Sequence, residues 1–465
     1  MVDVAIIGGG PAGMAAACAA AAGDASVVVI EASSRLGGQY LRQPLFDAPG
    51  GGPVAPSGLP ARVGRLADAG RVQVKLETSV WSITRDPGEF SLRLDDPQAT
   101  QLRAKAVVLA TGASELVLPF PGWDLPGVVT AGAAQALLKA QHLRVGERVV
   151  VAGTGPLLLP VAAALAGRGA SVLLVEAAPA HVAIRLAPAL AIQPAKLAEA
   201  AGYFAALLRH RVKVLSGHAV VRCEGTSAVE RAVIARIDAN WRPVPGSERT
   251  VDLDALCVSY GFVPRLELAR QLSVAQVDHG GPLRISVDGD PSTMESSLPG
   301  VFVAGELAGI GGARVAQLQG ELAGRAAARF ARPAQKAPAA APARQLAQLR
   351  RARAFAAALE RSYRLGDGWL SWLENSTVFC RCEQSRWGEL LAAIKDGATT
   401  VRELRSLTRC GMGYCQGRTC GPALQLAIAA TTGRSLQEAG DLHRRPVAVP
   451  VPLAQIARQG DPSVG

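Results

Sequence analysis

The fold of this chain is decided near its beginning, where residues 4–32 read VAIIGGGPAGMAAACAAAAGDASVVVIEA. An apolar run ends at Ile7, a glycine turn follows, and an alanine-rich segment leads into a second apolar run at residues 27–30. Strand, glycine turn, helix and strand in this order form the β-α-β unit of a dinucleotide-binding fold. We therefore predict an α/β protein that opens with a Rossmann unit.

The glycines of this turn have the spacing that a dinucleotide requires. Gly8 allows the turn, Gly10 admits a pyrophosphate to the helix N-terminus, and Gly13 lets helix and strand pack closely. A carboxylate 18 residues after Gly13 can accept hydrogen bonds from ribose hydroxyls. The alternative is a helix that merely packs tightly, but strand, spacing and acid together favour nucleotide binding. The residues predicted to line this site are Gly8, Gly10, Pro11, Ala12, Gly13 and Glu31.

A second copy of the pattern, VVVAGTGPLLLPVAAALAGRGASVLLVE, occupies residues 149–176. Gly153 and Gly155 match the first two glycines, but Leu158 stands at the third place, so the helix cannot approach the strand as closely. Glu176, 21 residues after Gly155, suits a free ribose 2′-hydroxyl and favours NAD or an adenine nucleotide over NADP. The alternative is a vestigial domain that serves as a scaffold.

Composition and length indicate a globular protein of several domains. A chain of 465 residues predicts about three domains. With 49% hydrophobic and 19% charged residues, wholesale disorder is not expected.

Residues 4–23 and 149–167 are almost free of charge, but glycines break both, so we predict buried strand–helix pairs rather than membrane spans. Eight cysteines are too few for a disulfide scaffold, which favours a cytoplasmic protein, with peripheral membrane association as an option.

The formal net charge of +11 is concentrated between Arg325 and Arg364. Nucleic acid is not an expected partner, because these arginines lack interleaved aromatic residues and a recognised binding motif. The stretch is either a solvated helix face or a docking site in which Arg350, Arg351 and Arg353 bind carboxylates of a partner protein.

Five of the eight cysteines crowd into residues 380–420. Cys380 and Cys382 form a CxC pair, and Cys415 and Cys420 form a second pair after 32 intervening residues. Four thiolates can close a metal site, and zinc usually takes CxxC knuckles, whereas this pattern is more typical of small helical domains that hold a 2Fe-2S cluster. The glycines around the second pair would leave N–H groups free to bond cluster sulfurs. Zinc and free thiols are the alternatives.

Three further motifs follow the first turn in a particular order: LGGQ at 36–39, ATG at 110–112 and VFVAGE at 301–306. Over residues 1–330 the chain thus resembles the two-dinucleotide-binding-domain flavoproteins, in which FAD occupies the first Rossmann unit. The resemblance implies Gly38 and Gln39 on the flavin side, Thr111 and Gly112 on the adenosine or pyrophosphate side, and Gly305 and Glu306 at the ribityl chain. In this family the last strand usually ends with Gly-Asp. Because the Glu306 side chain is one methylene longer than aspartate, its backbone must lie farther from the ribityl chain.

The cysteines of the first 330 residues exclude one chemistry. Cys18, Cys223 and Cys257 are not paired at CxxC or CxxxxC spacing, so a dithiol relay beside the flavin is not expected. The histidines are scattered singly, and no catalytic residue is predicted.

The whole chain resembles the FAD/2Fe-2S subunits of heteromeric amine dehydrogenases. That family includes the A-type subunits of opine oxidases, the B-type subunits of hydrogen cyanide synthases and the α subunits of hydroxyproline and proline dehydrogenases. The resemblance implies that a separate amino-acid-oxidase-like flavoprotein subunit oxidises the amine, and that this chain relays the electrons to a quinone or carrier. The cysteine segment by itself resembles the bacterioferritin-associated-ferredoxin-like domain, which has an alanine at the position of Cys410, and this implies that Cys410 is a bystander. The alternatives are a self-sufficient NADH-dependent reductase that feeds a ferredoxin or quinone, and a zinc-stabilised scaffold.

These expectations define a domain plan of a flavoprotein body followed by a small helical iron–sulfur domain. The predicted ranges are 1–115 and 255–330 for the FAD domain, 116–254 for an inserted NAD-like Rossmann domain, 331–345 for a Pro/Ala linker, 346–376 for a basic helical connector, 377–435 for a bacterioferritin-associated-ferredoxin-like 2Fe-2S domain, and 436–465 for a tail.

Overall fold

A computed structural model describes residues 1–44, 57–96, 98, 101–191, 193–277, 284–285, 290–333, 342–442 and 447–460. The chain divides into two compact units. The first unit comprises Met1–Ser114, Pro264–Ala356 and His443–Gly465, and the second comprises Glu115–Val263 and Ala357–Leu442.

Strands and helices alternate through most of the described chain. The strands are β1 Val2–Ile7, β2 Val27–Ile30, β3 Val72–Lys75, β4 Ser79–Asp86, β5 Glu89–Asp95, β6 Gln101–Leu109, β7 Ala113–Glu115, β8 Val128–Thr130, β9 Arg148–Gly153, β10 Ser171–Glu176, β11 Lys213–Ser216, β12 His218–Glu224, β13 Arg231–Arg236, β14 Arg249–Asp252, β15 Ala255–Ser259, β16 Phe262–Pro264, β17 Gln276–Val277, β18 Arg284–Ile285, β19 Val301–Val303, β20 Val378–Cys380 and β21 Ser385–Arg386. The α-helices are α1 Pro11–Ala21, α2 Gly58–Asp68, α3 Ala131–Gln141, α4 Leu158–Gly167, α5 Val182–Ala191, α6 Pro194–Arg209, α7 Glu267–Gln271, α8 Gly312–Ala331, α9 Ala343–Ser362, α10 Trp387–Lys395, α11 Val401–Thr408, α12 Cys420–Thr432, α13 Leu436–Ala439 and α14 Leu453–Gly460. Two 3₁₀ turns span Gly305–Ala308 and Asp367–Trp372.

The main sheet of the first unit has the strand order β3-β2-β1-β6-β5-β4, and β19 also pairs with β6. Strands β1, β2, β3, β6 and β19 run parallel, with Ile7 opposite both Ile30 and Leu109, and Leu109 opposite Val303. Parallel strands in register end at one edge of the sheet, which is where open α/β sheets bind their ligands. The loops after β1, β2, β6 and β19 therefore meet at that edge.

Helices α1 and α8 pack against each other on one face of this sheet. The close contact depends on Gly320 and Gly324 of α8, because a Cβ built on them would lie 2.1 Å from the Ala12 carbonyl oxygen and 2.2 Å from that of Ala16. With no side chain between them, the two backbones touch, and the alanines of α1 are almost all buried.

The main sheet of the second unit has the strand order β11-β10-β9-β15-β8, and its strands are parallel. It is accompanied by the antiparallel sheet β12-β13-β14, the hairpin β20-β21 and helices α10 to α13. The structure thus confirms two predictions from the sequence, the presence of two Rossmann units and the helical C-terminal region.

The second Rossmann sheet and the cysteine-rich segment share one hydrophobic core. Five of the six tryptophans of the chain lie in this core: Trp123, Trp241, Trp369, Trp372 and Trp387. The rings of Trp241 and Trp372 stack with centroids 6.0 Å apart, and the Trp372 indole N–H donates to the Trp241 carbonyl over 3.0 Å. Although only 4% of the residues are aromatic, most of the tryptophans, the largest side chains, lie in this core.

The two uncharged stretches fold as predicted, since residues 4–23 contain the end of β1 followed by α1, and residues 149–167 contain β9 followed by α4. Among the residues that the structure describes, no helix is both long enough and apolar enough to cross a bilayer. Of the predicted linker, residues 334–341 lie outside the described residues, as do 443–446 and 461–465 of the predicted tail.

Candidate cofactor sites

The glycine turn after β1 forms the floor of the first site. Gly8 has φ +107° and its N–H donates to the Ile30 carbonyl over 2.8 Å. A Cβ on Gly8 would lie 2.3 Å from the Ala110 carbonyl oxygen, and one on Gly13 would lie 1.8 Å from the Gly8 carbonyl oxygen. Packing within the protein alone therefore requires glycine at positions 8 and 13.

Gly10 is different, because none of the described residues demands a glycine there. Its backbone is extended, with φ −75° and ψ −174°, and among the described residues a Cβ would meet only the Gly38 Cα, at 3.9 Å. Pro11 follows as the first residue of α1, so this free space lies at the helix N-terminus. A pyrophosphate placed against that N-terminus would use the space, and the residues present fit the one in FAD.

Glu31 is held beside the same turn. It is only 8% exposed, and its carboxylate accepts from the N–H groups of Gly9 over 2.6 Å and Ser33 over 2.8 Å. The LGGQ loop reaches the turn through Gly38, whose φ is +59° and whose Cβ would lie 2.9 Å from the Gly10 Cα. Gln39 is exposed, and its amide oxygen accepts from Arg42.

The ATG motif lies at the end of β6 and is tied to the segment after β16. The Thr111 hydroxyl donates to the Arg265 carbonyl over 2.9 Å, and the Arg265 N–H donates to the Gly112 carbonyl over 3.0 Å. Gly112 has φ +74°, and a Cβ on it would meet no atom of the described part of the chain within 4 Å. The open space at Gly112 is compatible with the cofactor contact implied by the family, which stays a prediction.

Gly305 and Glu306 follow β19 at the same edge. Gly305 has φ +81°, and a Cβ on it would lie 3.0 Å from the Cβ of Ala12, which places it against the start of α1. The Glu306 carboxylate accepts from Gly311 over 3.2 Å and from Gly312 over 2.9 Å, and burial raises its pKa. This carboxylate binds the N-terminus of α8, so its contact with a ribityl chain also stays a prediction.

Sequence reasoning missed Gln319 of α8. Its side chain is completely buried, and its amide oxygen accepts from the Gly305 N–H over 2.9 Å. The Nε2 group has no hydrogen-bond partner among the described residues. The available signal was a glutamine among the small and apolar residues of the buried face of α8.

The second glycine turn, after β9, is only partly open. Gly153 has φ +134°, and a Cβ on it would lie 1.8 Å from the Ser259 carbonyl oxygen. Gly155 has φ +111°, and a Cβ on it would have no atom of the described residues within 4 Å. The Glu176 carboxylate accepts from the N–H groups of Gly155 over 3.2 Å and Ala178 over 2.9 Å. Burial raises the pKa of Glu176 to about 7.

The segment that follows β10 is covered by the C-terminal end of α9. Leu359 and Tyr363 pack against Val182 and Leu186. Burial, together with the nearby Glu176 carboxylate, raises the pKa of Tyr363 to about 12. In a Rossmann domain the adenosine of a dinucleotide lies next to the carboxylate that ends this strand. The chain's own helix therefore covers part of this region, and nucleotide binding at Gly153, Gly155 and Glu176 stays a prediction.

The cysteine-rich segment brings five thiols together. The Sγ atoms of Cys380, Cys410 and Cys420 lie within 4.8 Å of one another, and all three residues are buried. Cys382 is exposed, Cys415 is half-buried, and these two thiols hydrogen-bond each other. Of the four predicted ligands, the structure groups Cys380 with Cys420 and Cys382 with Cys415, and it adds Cys410 to the first group.

Backbone N–H groups point at these sulfurs, as the glycine-rich sequence predicts. The Gly411 N–H donates to the Cys380 sulfur over 3.5 Å, and the N–H groups of Gly417 and Thr419 donate to Cys415. Hydrogen bonds with the Cys410 and Cys420 thiols lower the pKa of Cys380. Several thiols with N–H donors around them form a soft, electron-rich ligand set that fits an iron–sulfur cluster.

The CxC turn is fixed by aromatic contacts. The Arg381 guanidinium stands over the Trp123 ring, 4.1 Å from its centroid, and donates to the Trp123 carbonyl. The Trp123 indole N–H in turn donates to the Val378 carbonyl over 2.5 Å. Two predicted ligands, Cys380 and Cys382, thus flank an arginine that anchors them to the Rossmann part of the second unit.

The fold and the two sites define a flavin-dependent oxidoreductase with an iron–sulfur centre. The chain belongs to the pyridine nucleotide-disulphide oxidoreductase family, which matches residues 2–320. Residues 378–430 match the BFD-like 2Fe-2S binding domain. FAD and a 2Fe-2S cluster are its cofactors, as the sequence motifs predict.

Two relatives match this chain over almost its whole length. The chain is 32% identical to the HcnB subunit of hydrogen cyanide synthase from Pseudomonas aeruginosa, covering 98% of each chain. It is also 32% identical to the A-type subunit of opine oxidase from Agrobacterium tumefaciens, covering 98% of this chain and 91% of that one. These relatives are subunits of heteromeric enzymes, and the predicted family resemblance is confirmed.

Solved structures show the same fold at lower identity. L-proline dehydrogenase from P. horikoshii matches with a TM-score of 0.68 at 22% identity, over 98% of this chain and 79% of that one. Thioredoxin reductase from T. acidophilum matches with a TM-score of 0.52 at 20% identity, over 72% of this chain and 99% of that one.

Proposed function

We propose that this chain is the electron-transferring subunit of a heteromeric dehydrogenase that oxidises a secondary amine or amino acid of the opine, proline, hydroxyproline or glycine class. In this proposal an amino-acid-oxidase-like flavoprotein subunit holds the amine, and the present chain takes its electrons and passes them to a quinone or carrier. We place the complex in the cytoplasm, where five clustered thiols stay reduced.

The observation that carries the proposal is that one chain has both a flavin-binding site and a cluster of thiols. In the flavoprotein part, residues 1–330, no two cysteines are spaced to form a redox-active disulfide beside the flavin. Cys18, Cys223 and Cys257 are all buried single thiols, and burial raises the pKa of each. Such thiols are inert in disulfide exchange. A flavin that has taken up two electrons can pass them on one at a time, and a 2Fe-2S cluster accepts one electron, so the two cofactors in one chain suit an electron relay.

The protein's own residues supply binding and orientation for this relay. Gly10 leaves the space for the pyrophosphate at α1, and Glu31 stands where ribose hydroxyls would bind. For the cluster we propose Cys380, Cys382, Cys415 and Cys420 as ligands, with N–H donors on Cys380 and Cys415 that stabilise thiolate charge. These assignments rest on the motif spacing, and the grouping of the thiols supports them.

The alternative function, a self-sufficient NADH-dependent reductase, requires a dinucleotide at the second glycine turn. Leu359 and Tyr363 lie against the segment that follows β10, next to the carboxylate that an adenosine ribose would need. This contact favours the electron-transferring role over the NADH reductase. In our proposal the second Rossmann domain instead carries the iron–sulfur segment through their shared core.

Anaerobic reduction of the purified chain tests the proposal. We expect yellow protein with two irons per chain whose visible flavin absorption is unchanged by NADH. When the amine-oxidising subunit is added, proline, hydroxyproline, glycine or an opine should bleach it. Rapid bleaching by NADH alone would establish the reductase instead, and a colourless protein that contains zinc would exclude both functions.

A further inference from the structure

The fifth cysteine of the cluster segment is the feature that the proposed function does not use. Family resemblance makes Cys410 a bystander, yet its side chain is completely buried and its sulfur lies within 4.8 Å of those of Cys380 and Cys420. No other thiol of the chain outside the four proposed ligands belongs to this group among the described residues. The Cys410 thiol therefore lies among the proposed ligands rather than apart from them.

The position of Cys410 is set by local structure. Helix α11 ends at Thr408, and Arg409 follows with φ +60°, which turns the chain back towards the CxC hairpin. The next residue after Cys410, Gly411, donates its N–H to the Cys380 sulfur. The backbone thus holds Cys410 beside a proposed ligand whether or not its own sulfur binds iron.

The five thiols differ in exposure in a way that suggests two roles. Cys380, Cys410 and Cys420 are buried, whereas Cys382 is exposed and Cys415 is half-buried. The two outer thiols are the ones that oxidants and chelators in solvent reach first. A 2Fe-2S cluster needs four thiolates, so a loss of either outer ligand leaves three proposed ligands and Cys410.

We propose that Cys410 is a reserve ligand that completes the cluster when Cys382 or Cys415 is lost. This inference rests on the proposed ligand set. Loss of the outer ligand breaks one iron–sulfur bond on the exposed side of the cluster. The Cys410 thiol then releases its proton to the solvent on that side, and its thiolate forms the replacing iron–sulfur bond. No electron is transferred, and the cluster keeps four sulfur ligands.

Iron content and the visible and electron paramagnetic resonance spectra of the full chain test this proposal. We expect Cys410→Ala to keep two irons per chain, and Cys382→Ala and Cys415→Ala to keep most of their iron with shifted spectra. Combining either outer variant with Cys410→Ala should remove the cluster. Cys223→Ala, which deletes a buried thiol of the same unit outside this group, is the matched control for each combination.

Three outcomes overturn the proposal. These are complete loss of iron in either outer single variant, retention of iron in the double variants, and loss of iron in Cys410→Ala alone, which would make Cys410 a primary ligand. Failure of the proposed function looks different, because it would appear in the unmodified chain, either as rapid bleaching of the flavin by NADH alone or as the absence of an iron–sulfur spectrum. Circular dichroism distinguishes loss of the cluster from misfolding, since a folded double variant keeps the helix content of the Cys223→Ala control.

Discussion

At the scale of single residues, two positions of one motif require glycine for different physical reasons. Gly13 is required by the fold, since a Cβ would lie 1.8 Å from the Gly8 carbonyl oxygen, while Gly10 borders free space. We expect Gly10→Val to fold normally and to bind FAD at least about tenfold more weakly, because the side chain fills the space of the pyrophosphate. Flavin content and the melting temperature measure the two effects.

Gly13→Ala is the comparison for this variant. We expect it to lower the melting temperature even without flavin, because the methyl group must displace the backbone. A Gly10→Val protein that keeps stoichiometric yellow flavin would contradict the assignment of the first site.

A second prediction at the residue scale concerns Glu176. Its pKa is about 7 in the folded protein against an ordinary value of 4.5, since burial disfavours the charged form. The folded state then binds the proton more tightly than the unfolded chain. The free energy of unfolding should therefore fall as the pH rises from about 4.5 to about 7 and change little above it.

Glu176→Gln should remove this part of the pH dependence. Thermal unfolding at about pH 5.5 and about pH 8 measures it, and we expect a smaller difference between the two conditions in the variant than in the parent protein. Glu248→Gln, at an exposed position of the same unit, is the control for the loss of one charge. Equal pH dependence in Glu176→Gln and the parent would show that the carboxylate is not held neutral.

At the scale of elements, the packing of α1 against α8 supports the flavin site. Gly324→Ala would place a methyl group 2.2 Å from the Ala16 carbonyl oxygen, so the two helices must separate. We expect a loss of about 1–3 kcal/mol in stability, which exceeds the gain of about 1 kcal/mol in helix propensity. The melting temperature and the retained FAD should fall together, because α8 also carries Gln319 beside Gly305.

Gly64→Ala in α2 is the matched control, since a Cβ there meets no atom within 4 Å. It should stabilise the protein by about 0.5–1 kcal/mol through helix propensity alone. A stabilised Gly324→Ala variant would mean that the two backbones are not in contact.

At the scale of the whole molecule, the basic stretch Arg325–Arg364 is predicted to take part in binding the proposed partner subunit. Arg350 and Arg351 of α9 are exposed, but the Arg353 guanidinium lies 3.7 Å from the Met294 sulfur and burial lowers its pKa. The three arginines therefore do not present one charged face, and of these three Arg350 and Arg351 are the exposed pair that can bind carboxylates of a partner. We expect Arg350→Glu with Arg351→Glu to weaken assembly with the amine-oxidising subunit about tenfold or more.

Co-purification at moderate salt measures this effect, with FAD and iron content unchanged. Arg211→Glu with Arg249→Glu makes the same change of charge at two other exposed positions and should leave assembly intact. Equal recovery of the partner with both double variants would show that the stretch is a solvated helix face and not a docking site.

The sequence by itself determined the two Rossmann units, the cofactor class and the cysteine-rich domain. These rest on short-range patterns, because a strand, its glycine turn and the following helix are neighbours along the chain, and their backbone requirements limit the residue types locally. The spacing around Gly8, Gly10 and Gly13 is such a pattern. The CxC pair of Cys380 and Cys382 is another.

Only the tertiary structure decided which residues from distant parts of the chain meet. Trp241 and Trp372 are separated by 131 positions, yet their contact joins the segment that leads into the iron–sulfur domain to the second Rossmann domain. Cys410 meets Cys380 although β21, α10 and α11 lie between them in the chain, and the Gln319 amide reaches Gly305 from α8. Contacts of this kind depend on how whole elements pack, because burial and shape complementarity accept many residue types at a given position and so leave no fixed spacing in the sequence.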